Sequence, residues 1–378
     1  MKIVIAPDSF KGSMSSAHVI EIVKKAAQEH FPDAEIVGIP VADGGEGTAE
    51  ALKDAVGGTW MEADVHGPNM SEMKAKYLLT SDHIAFIELA AASGLPLLHP
   101  TERNPLKTTT LGTGELMEDA LNHGAEKLVL TIGGSATNDG GMGALFAAGM
   151  RFLDAKGNSL EPKGRNMELT ESIDSLHLDP RLKQVPIEIL CDVDNPLLGM
   201  HGTAYTYAKQ KGANQEVQAR LELGMGHYCS VIENDIHRSL RGIPGTGAAG
   251  GFSLPLLAYC NAELSHGIDS VLDIVGFYEA IETADLVITG EGRTDEQSIH
   301  GKVISGVGQA CMERNIPCID ITGGMGKGAE EVLKVGITSI VTTVNGIMSI
   351  KEAVKNCDEL LYGAANRMFR MIKIGKAI

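Results

Sequence analysis

The chain has 378 residues, 43% of them apolar and only 4% aromatic, with 45 glycines. Its 32 Lys and Arg against 49 Asp and Glu leave a net charge of −17. That balance argues against non-specific nucleic-acid binding and against an anionic membrane surface, and the scarcity of aromatics argues against base-stacking platforms. A small anionic ligand stays open, because a local cluster of Lys and helix N-termini outweighs a distant field. The length exceeds one usual core, so two domains are expected. Six cysteines, at 191, 229, 260, 311, 318 and 357, form no C-x-x-C pair. Free thiols in a reducing cytoplasm are therefore expected, not a zinc site or a disulfide framework. The chain runs straight into a strand pattern, with no signal-peptide pattern, and no apolar run reaches the ~18 residues of a membrane span.

In chain order, Lys2 to Ala6 reads as a central strand buried on both faces. Ser13 to His30 reads as an amphipathic helix, with Ile20, Val23, Ala26 and Ala27 on one side and Lys24, Lys25, Gln28 and Glu29 on the other. A strand at 35–41 and a helix at 46–55 follow. The pattern then breaks into strands at 59–65, 74–79 and 83–89. Next come a helix at 111–123, a buried strand at 127–132, a small-residue helix at 140–150, a strand at 187–192 and a long helix at 214–241. From Asp285 the β-α alternation returns, with strands at 285–289, 317–321 and 338–342 and helices at 302–314, 328–334 and 350–371.

The two ends together supply five strands and five helices. The expected fold class is α/β, a flavodoxin-like doubly wound parallel sheet domain with a second, inserted α/β domain. The first comprises residues 1–60 plus 275–378; the second, a mixed α/β domain, comprises 61–274. In the usual 2-1-3-4-5 order the strands at 2–7 and 285–289 are adjacent and the switch point falls between them. The loops after them, Asp8-Ser9-Phe10-Lys11-Gly12-Ser13 and Gly290-Glu291-Gly292-Arg293-Thr294-Asp295, then share one crevice.

Each loop has a functional reading and a plain one. In 8–13, Lys11 and the backbone N–H groups suit an anion; a capping turn at Ser9 or Ser13 explains neither Asp8 nor Lys11. Asp43-Gly44-Gly45-Glu46 is either a hydroxyl or metal site or a capping box. Gly133-Gly134-Ser135-Ala136-Thr137-Asn138-Asp139-Gly140-Gly141 is a phosphate-loop candidate of the nest type, neither Walker A nor G-x-G-x-x-G. Gly245 to Gly251 either closes over phosphates or packs closely through small residues. Asp192-Val193-Asp194-Asn195-Pro196 offers oxygen ligands suited to Mg²⁺, with an Asx turn as the plain alternative. Glu291 and Asp295 could share a metal or act as base, and Arg293 and Lys302 could pair with phosphate or carboxylate; a surface ion-pair cluster is the alternative.

Taken together, Ala6-Pro-Asp-Ser-Phe-Lys-Gly-Ser13, Val41-Ala-Asp-Gly-Gly-Glu-Gly-Thr48, Gly133 to Gly141, Cys191-Asp-Val-Asp-Asn-Pro-Leu197 and Thr289-Gly-Glu-Gly-Arg-Thr-Asp295 resemble the type-1 bacterial glycerate kinases. The resemblance runs over nearly the whole chain in the same order. It implies ATP-dependent phosphorylation of D-glycerate, with Mg²⁺, usually at the 2-hydroxyl to give 2-phosphoglycerate. The composition adds the expectation of a cytoplasmic enzyme with small-molecule substrates and no nucleic-acid or membrane partner. The sequence leaves room for a homo-oligomer. A kinase giving 3-phosphoglycerate or acting on another small hydroxy acid is the alternative, and a non-catalytic ligand-binding sensor ranks behind both.

Set against that reaction, the residues take these expected roles. Asp192 is the first choice of base, with Asp295 and Asp43 behind it, and Lys11 joins the catalytic set. Asp8, Ser9, Lys11, Asp43 and Arg293 bind substrate. Gly133, Gly134, Ser135, Thr137, Asn138 and Asp139 bind nucleotide. Asp192 and Glu291 hold the metal.

Overall fold

The computed structural model describes residues 1–42, 48–299 and 302–375, without the side chains of 50, 51 and 54. Two compact units emerge. The first comprises Met1–Asp43, Glu50–Gly57 and Gly267–Ile378; the second comprises Gly44–Ala49 and Gly58–His266.

The first unit is built on a five-stranded sheet in the order Ser339–Thr342, Cys318–Thr322, Leu286–Thr289, Lys2–Ile5, Glu35–Gly38. All four pairings are parallel. Strand Lys2–Ile5 lies beside Leu286–Thr289 with Ile3 opposite Leu286, the adjacency that the 2-1-3-4-5 order requires. Leu286–Thr289 is buried along its whole length, as expected for a parallel strand covered on both faces. One covering layer pairs helices Ser16–His30 and Cys357–Gly375. Val19, Val23 and Ala27 meet Leu361, Ala365 and Phe369 over Ile3, Ile5 and Ile288. Their i, i+4 spacing forms one apolar stripe, and Phe31 stacks edge-on against Phe369 at 6.2 Å. The first helix starts later than its pattern suggests. Its cap is Ser15, whose hydroxyl accepts from His18 N, so Asp8 to Met14 is free to form a loop.

Two other helices differ from expectation for backbone reasons. The 328–334 segment is a 3₁₀ turn, Ala329–Val335, set between Gly328 (φ +76°) and Gly336 (φ +99°). The last helix is two, Ile350–Lys355 and Cys357–Gly375.

The second unit holds a six-stranded sheet ordered Ala262–Ser265, Ile187–Leu190, Lys127–Thr131, Ile84–Glu88, Glu72–Leu79, Thr59–His66. The first four strands are mutually parallel; the last two form an antiparallel meander. Lys127–Thr131 and Ile187–Leu190 are neighbours with Thr131 opposite Leu190. The loops that leave them, 132–141 and 191–196, therefore start at the same edge of the sheet. The helix expected at 140–150 shrinks to Met142–Ala147, because Gly140 (φ +63°) and Gly141 (φ +71°) are left-handed and cannot continue a right-handed helix. The long helix spans Gln215–Ile236, capped by Asn214 through Val217 N. Among the described residues no helix is long and apolar enough to cross a membrane, and all six cysteines are unpaired with one another.

Candidate active site

In each unit a cavity lies at the C-terminal ends of the parallel strands, where α/β sheets put their ligands. In the first unit the cavity measures about 590 Å³. Asp8, Ser9, Lys11, Glu291, Arg293 and Asp295 all line it. The two loops meet because Asp8 N donates to Gly290 O at 2.8 Å and Gly292 lies against Phe10. A Cβ on Gly292 would stand 3.3 Å from Phe10 Cα.

The charges of this cavity are arranged in pairs. Ser9 N donates to Asp8 Oδ1 at 2.6 Å. The buried Glu291 accepts from Ser298 Oγ, and Lys302 Nζ stands 3.8 Å from its other oxygen. Burial pushes the Glu291 carboxyl upward, while the Ser298 hydroxyl and Lys302 ammonium pull it back. Asp295 is fixed by Gln297 N at 3.0 Å and lies 3.5 Å from Arg293 Nε, whose side chain is largely exposed. Behind this wall stands Asp320, wholly buried in its strand. Thr294 Oγ1 donates to Asp320 Oδ2 at 2.8 Å, and Oδ1 has no partner among the described residues. A lone Asp between apolar residues in Cys318-Ile-Asp-Ile was the sequence signal for it. Burial pushes its carboxyl up to about 7 from 3.8, Thr294 lowers it and Glu291 raises it further.

A carboxyl raised on folding contributes stability that is complete below its unfolded value and is lost as pH climbs through its folded value. Between pH 5 and pH 8 the ionising Asp320 should therefore cost the fold roughly 3 kcal/mol. Asp320→Asn does not titrate. Its stability relative to the parent should rise by that amount over the interval in urea denaturation at the two pH values. Parallel pH profiles would show that Asp320 ionises normally.

The second unit's cavity is smaller, about 210 Å³. Gly133, Gly134, Ser135 and Asp192 line it with Ala248 and Lys211. Asp192 is exposed at its mouth. The turn around it is tied by Asn195 Nδ2 to His201 O at 2.7 Å and by Tyr207 OH to Asn195 Oδ1 at 2.6 Å. The 245–251 segment packs closely through its small residues and also borders the cavity. Ala248 and Ala249 face the cavity, while Gly247 and Gly250 pack on neighbouring backbone. A Cβ there would meet Pro196 O at 2.1 Å and Thr137 O at 2.2 Å.

The 133–141 loop divides in two. Its first three residues face the cavity; Thr137, Asn138 and Asp139 are wholly buried and do not line it. The Asp139 carboxylate accepts from Thr110 N (2.7 Å), Thr110 Oγ1 (2.9 Å), Gly141 N (3.2 Å) and Gly143 N (3.2 Å). Burial pushes this carboxyl upward and the four donors pull it down. Asp139 thus shapes the loop from behind. Asp43 lies outside the described residues. Asp192 belongs to the second unit and Lys11, Glu291, Arg293 and Asp295 to the first.

Sequence reasoning missed Lys211. In Lys209-Gln-Lys211-Gly212 it looks like any solvated lysine, yet Lys209 is exposed and Lys211 is buried. The turn after helix Thr203–Tyr207 folds it inward. Gly212 at φ +97° packs on Arg103, where a Cβ would stand 2.3 Å from the carbonyl oxygen. Lys211 Nζ donates to Ser135 Oγ at 2.6 Å and to Thr137 O at 2.7 Å.

The family model described as "Glycerate kinase family" matches residues 3–373. The chain belongs to the glycerate kinase family. Glycerate kinases of this family are phosphotransferases with an alcohol acceptor, which suits two cavities bearing cations and carboxylates. The glycerate 2-kinase of Escherichia coli K12 is 42% identical over 376 residues, 99% of each chain. The glycerate kinase of Bacillus subtilis 168 is 42% identical over 379 residues, 100% of this chain and 99% of its own. A crystal structure from Salmonella typhimurium LT2 that bears the name glycerate kinase 2 superposes with a TM-score of 0.92 at 42% identity, covering 100% of both chains.

Proposed function

We propose that this member of the glycerate kinase family transfers the γ-phosphoryl group of ATP to the 2-hydroxyl of D-glycerate. The similarity to a relative named glycerate 2-kinase over 99% of both chains carries this reading. In the reaction the glycerate O2 forms a bond to the γ-phosphorus and the bond to the β–γ bridging oxygen breaks. The hydroxyl proton passes to a carboxylate, and ADP leaves. Such transfer needs positioning and charge neutralisation more than covalent chemistry.

In the second unit, the backbone of Gly133, Gly134 and Ser135 is open to phosphoryl oxygens at the cavity wall. Asp192, exposed at its mouth, is our choice of base. In the first unit, Lys11 and Arg293 offer cations for the glycerate carboxylate, with Asp8 and Ser9 for its hydroxyls and Asp295 next to Arg293. Of the two carboxylates proposed as Mg²⁺ ligands, Glu291 lies on this wall of the first unit and Asp192 at the cavity of the second. Among the described residues no cluster of three or more His, Cys, Asp or Glu is built for a metal. That fits an ion that takes one or two carboxylates and completes its shell with phosphates and water. When bound, Mg²⁺ neutralises charge on the transferring phosphates.

Reaction of the protein with MgATP and D-glycerate, followed by ³¹P and ¹³C NMR, tests the proposal. Phosphorus on the C2 oxygen is expected. Phosphorus on C3 would keep the kinase and replace the product, and no phosphoglycerate from folded protein would sink the reading.

A further inference from the structure

We propose that Lys211 is the cation that takes up a phosphoryl group at the Gly133–Ser135 loop. This inference rests on the phosphoryl-transfer reading. Four observations lead to it. The first is that the side chain is almost fully buried, with 1% of its surface exposed. The second is an incomplete set of partners. An ammonium carries three protons; two go to Ser135 Oγ and Thr137 O, both neutral acceptors. Among the described residues its hydrogen-bond partners are these two neutral oxygens and no carboxylate. Asp139 acts on it only through space, its oxygens being occupied by Thr110, Gly141 and Gly143. A buried charge without a counter-charge is costly, so the site is completed by an anion.

The third observation is place. Lys211 lines the same cavity as Gly133, Gly134 and Ser135, so its third proton and the loop's backbone serve one volume. The fourth is size. About 210 Å³ falls short of the ~300–1,000 Å³ of sites that enclose a drug-sized ligand, but it admits a phosphoryl group. Desolvation lowers the lysine to about 7, against the upward pull of Asp139.

The test is binding of the Mg²⁺ complex of a β,γ-imido ATP analogue by calorimetric titration, without glycerate, so that turnover plays no part. Lys211→Met should weaken binding at least ~10-fold, while its ligand-free melting temperature stays level or rises because a buried charge has gone. Lys211→Arg should regain part of the affinity. Unchanged affinity in folded Lys211→Met would overturn the proposal. So would a fall in its ligand-free stability with affinity intact, which would make Lys211 a structural tie between Ser135 and Thr137. If neither variant folds, the unmodified protein crystallised with the analogue decides. A phosphoryl oxygen within hydrogen-bond distance of Lys211 Nζ supports the assignment, and phosphates bound away from it refute it. Lys211-dependent binding without glycerate phosphorylation would defeat the glycerate reading alone. Glycerate phosphorylation with Lys211-independent binding would defeat this inference alone.

Discussion

Replacing Asp192 by asparagine should lower kcat for glycerate phosphorylation by roughly 10²–10⁴-fold, the usual share of a general base. Asn keeps the shape and cannot take the hydroxyl proton. The residue is exposed, and its turn is held by Asn195, His201 and Tyr207, so stability should move by less than ~0.5 kcal/mol. Steady-state rates over pH, measured at several Mg²⁺ concentrations, separate the two roles open to Asp192. A base leaves the Mg²⁺ requirement unchanged and removes the rising acid limb of the profile. A metal ligand instead raises the Mg²⁺ needed for half-maximal rate, and excess Mg²⁺ restores turnover. Near-normal turnover of Asp192→Asn at all Mg²⁺ levels would dismiss it from both roles and bring Asp295 forward.

The largest loss of stability should come from Asp139→Ala. Four donors converge on this one carboxylate, and all are buried. Truncation leaves them facing an apolar methyl, at a cost of about 1–3 kcal/mol for each that finds no new partner. Partial relaxation and water entry reduce the sum, so about 3–5 kcal/mol is expected, comparable to breaking a buried ion pair. A unit of about 200 residues loses roughly 2–4 °C of melting temperature per kcal/mol. The transition should therefore fall by on the order of 6–20 °C in a thermal melt. Because Asp139 ties Thr110 to Gly141 and Gly143, the damage spreads to the cavity wall formed by Gly133 to Ser135. A melt within 2 °C of the parent would mean that the loop holds itself without the carboxylate.

Much of this architecture is legible in the sequence because the parallel strands are short apolar runs closed by glycine-bearing loops. Lys2 to Ile5 and Leu286 to Thr289 read as buried strands and lie side by side, which brings Asp8, Lys11, Glu291 and Arg293 to one wall. What escapes are features without a period. The antiparallel pair Arg151–Leu153 and Ser172–Asp174 has three residues per strand, too few to show alternation. The 140–150 helix is overestimated because its small residues look helical while the two leading glycines are left-handed. Burial of a charged side chain is the least visible. The loop pattern singles out Asp139 as a ligand group, but two of its four donors come from Thr110, twenty-nine positions earlier, and help turn it inward. Lys211 is hidden for the same reason: nothing in Lys-Gln-Lys distinguishes the solvated lysine from the buried one.

The pairing of Ile3 with Leu286 also sets an order of events on the ribosome. Lys2 N and Asp285 are 283 positions apart in the chain and bonded in the fold. At 5–20 residues per second, the first strand waits about 14–57 s after its own synthesis for the neighbour that completes the sheet centre. During that interval the intervening second unit has all its own strands available and can close on itself. The nascent amino-terminal segment, an apolar strand with an unpaired edge, is then the part of the chain most in need of shelter.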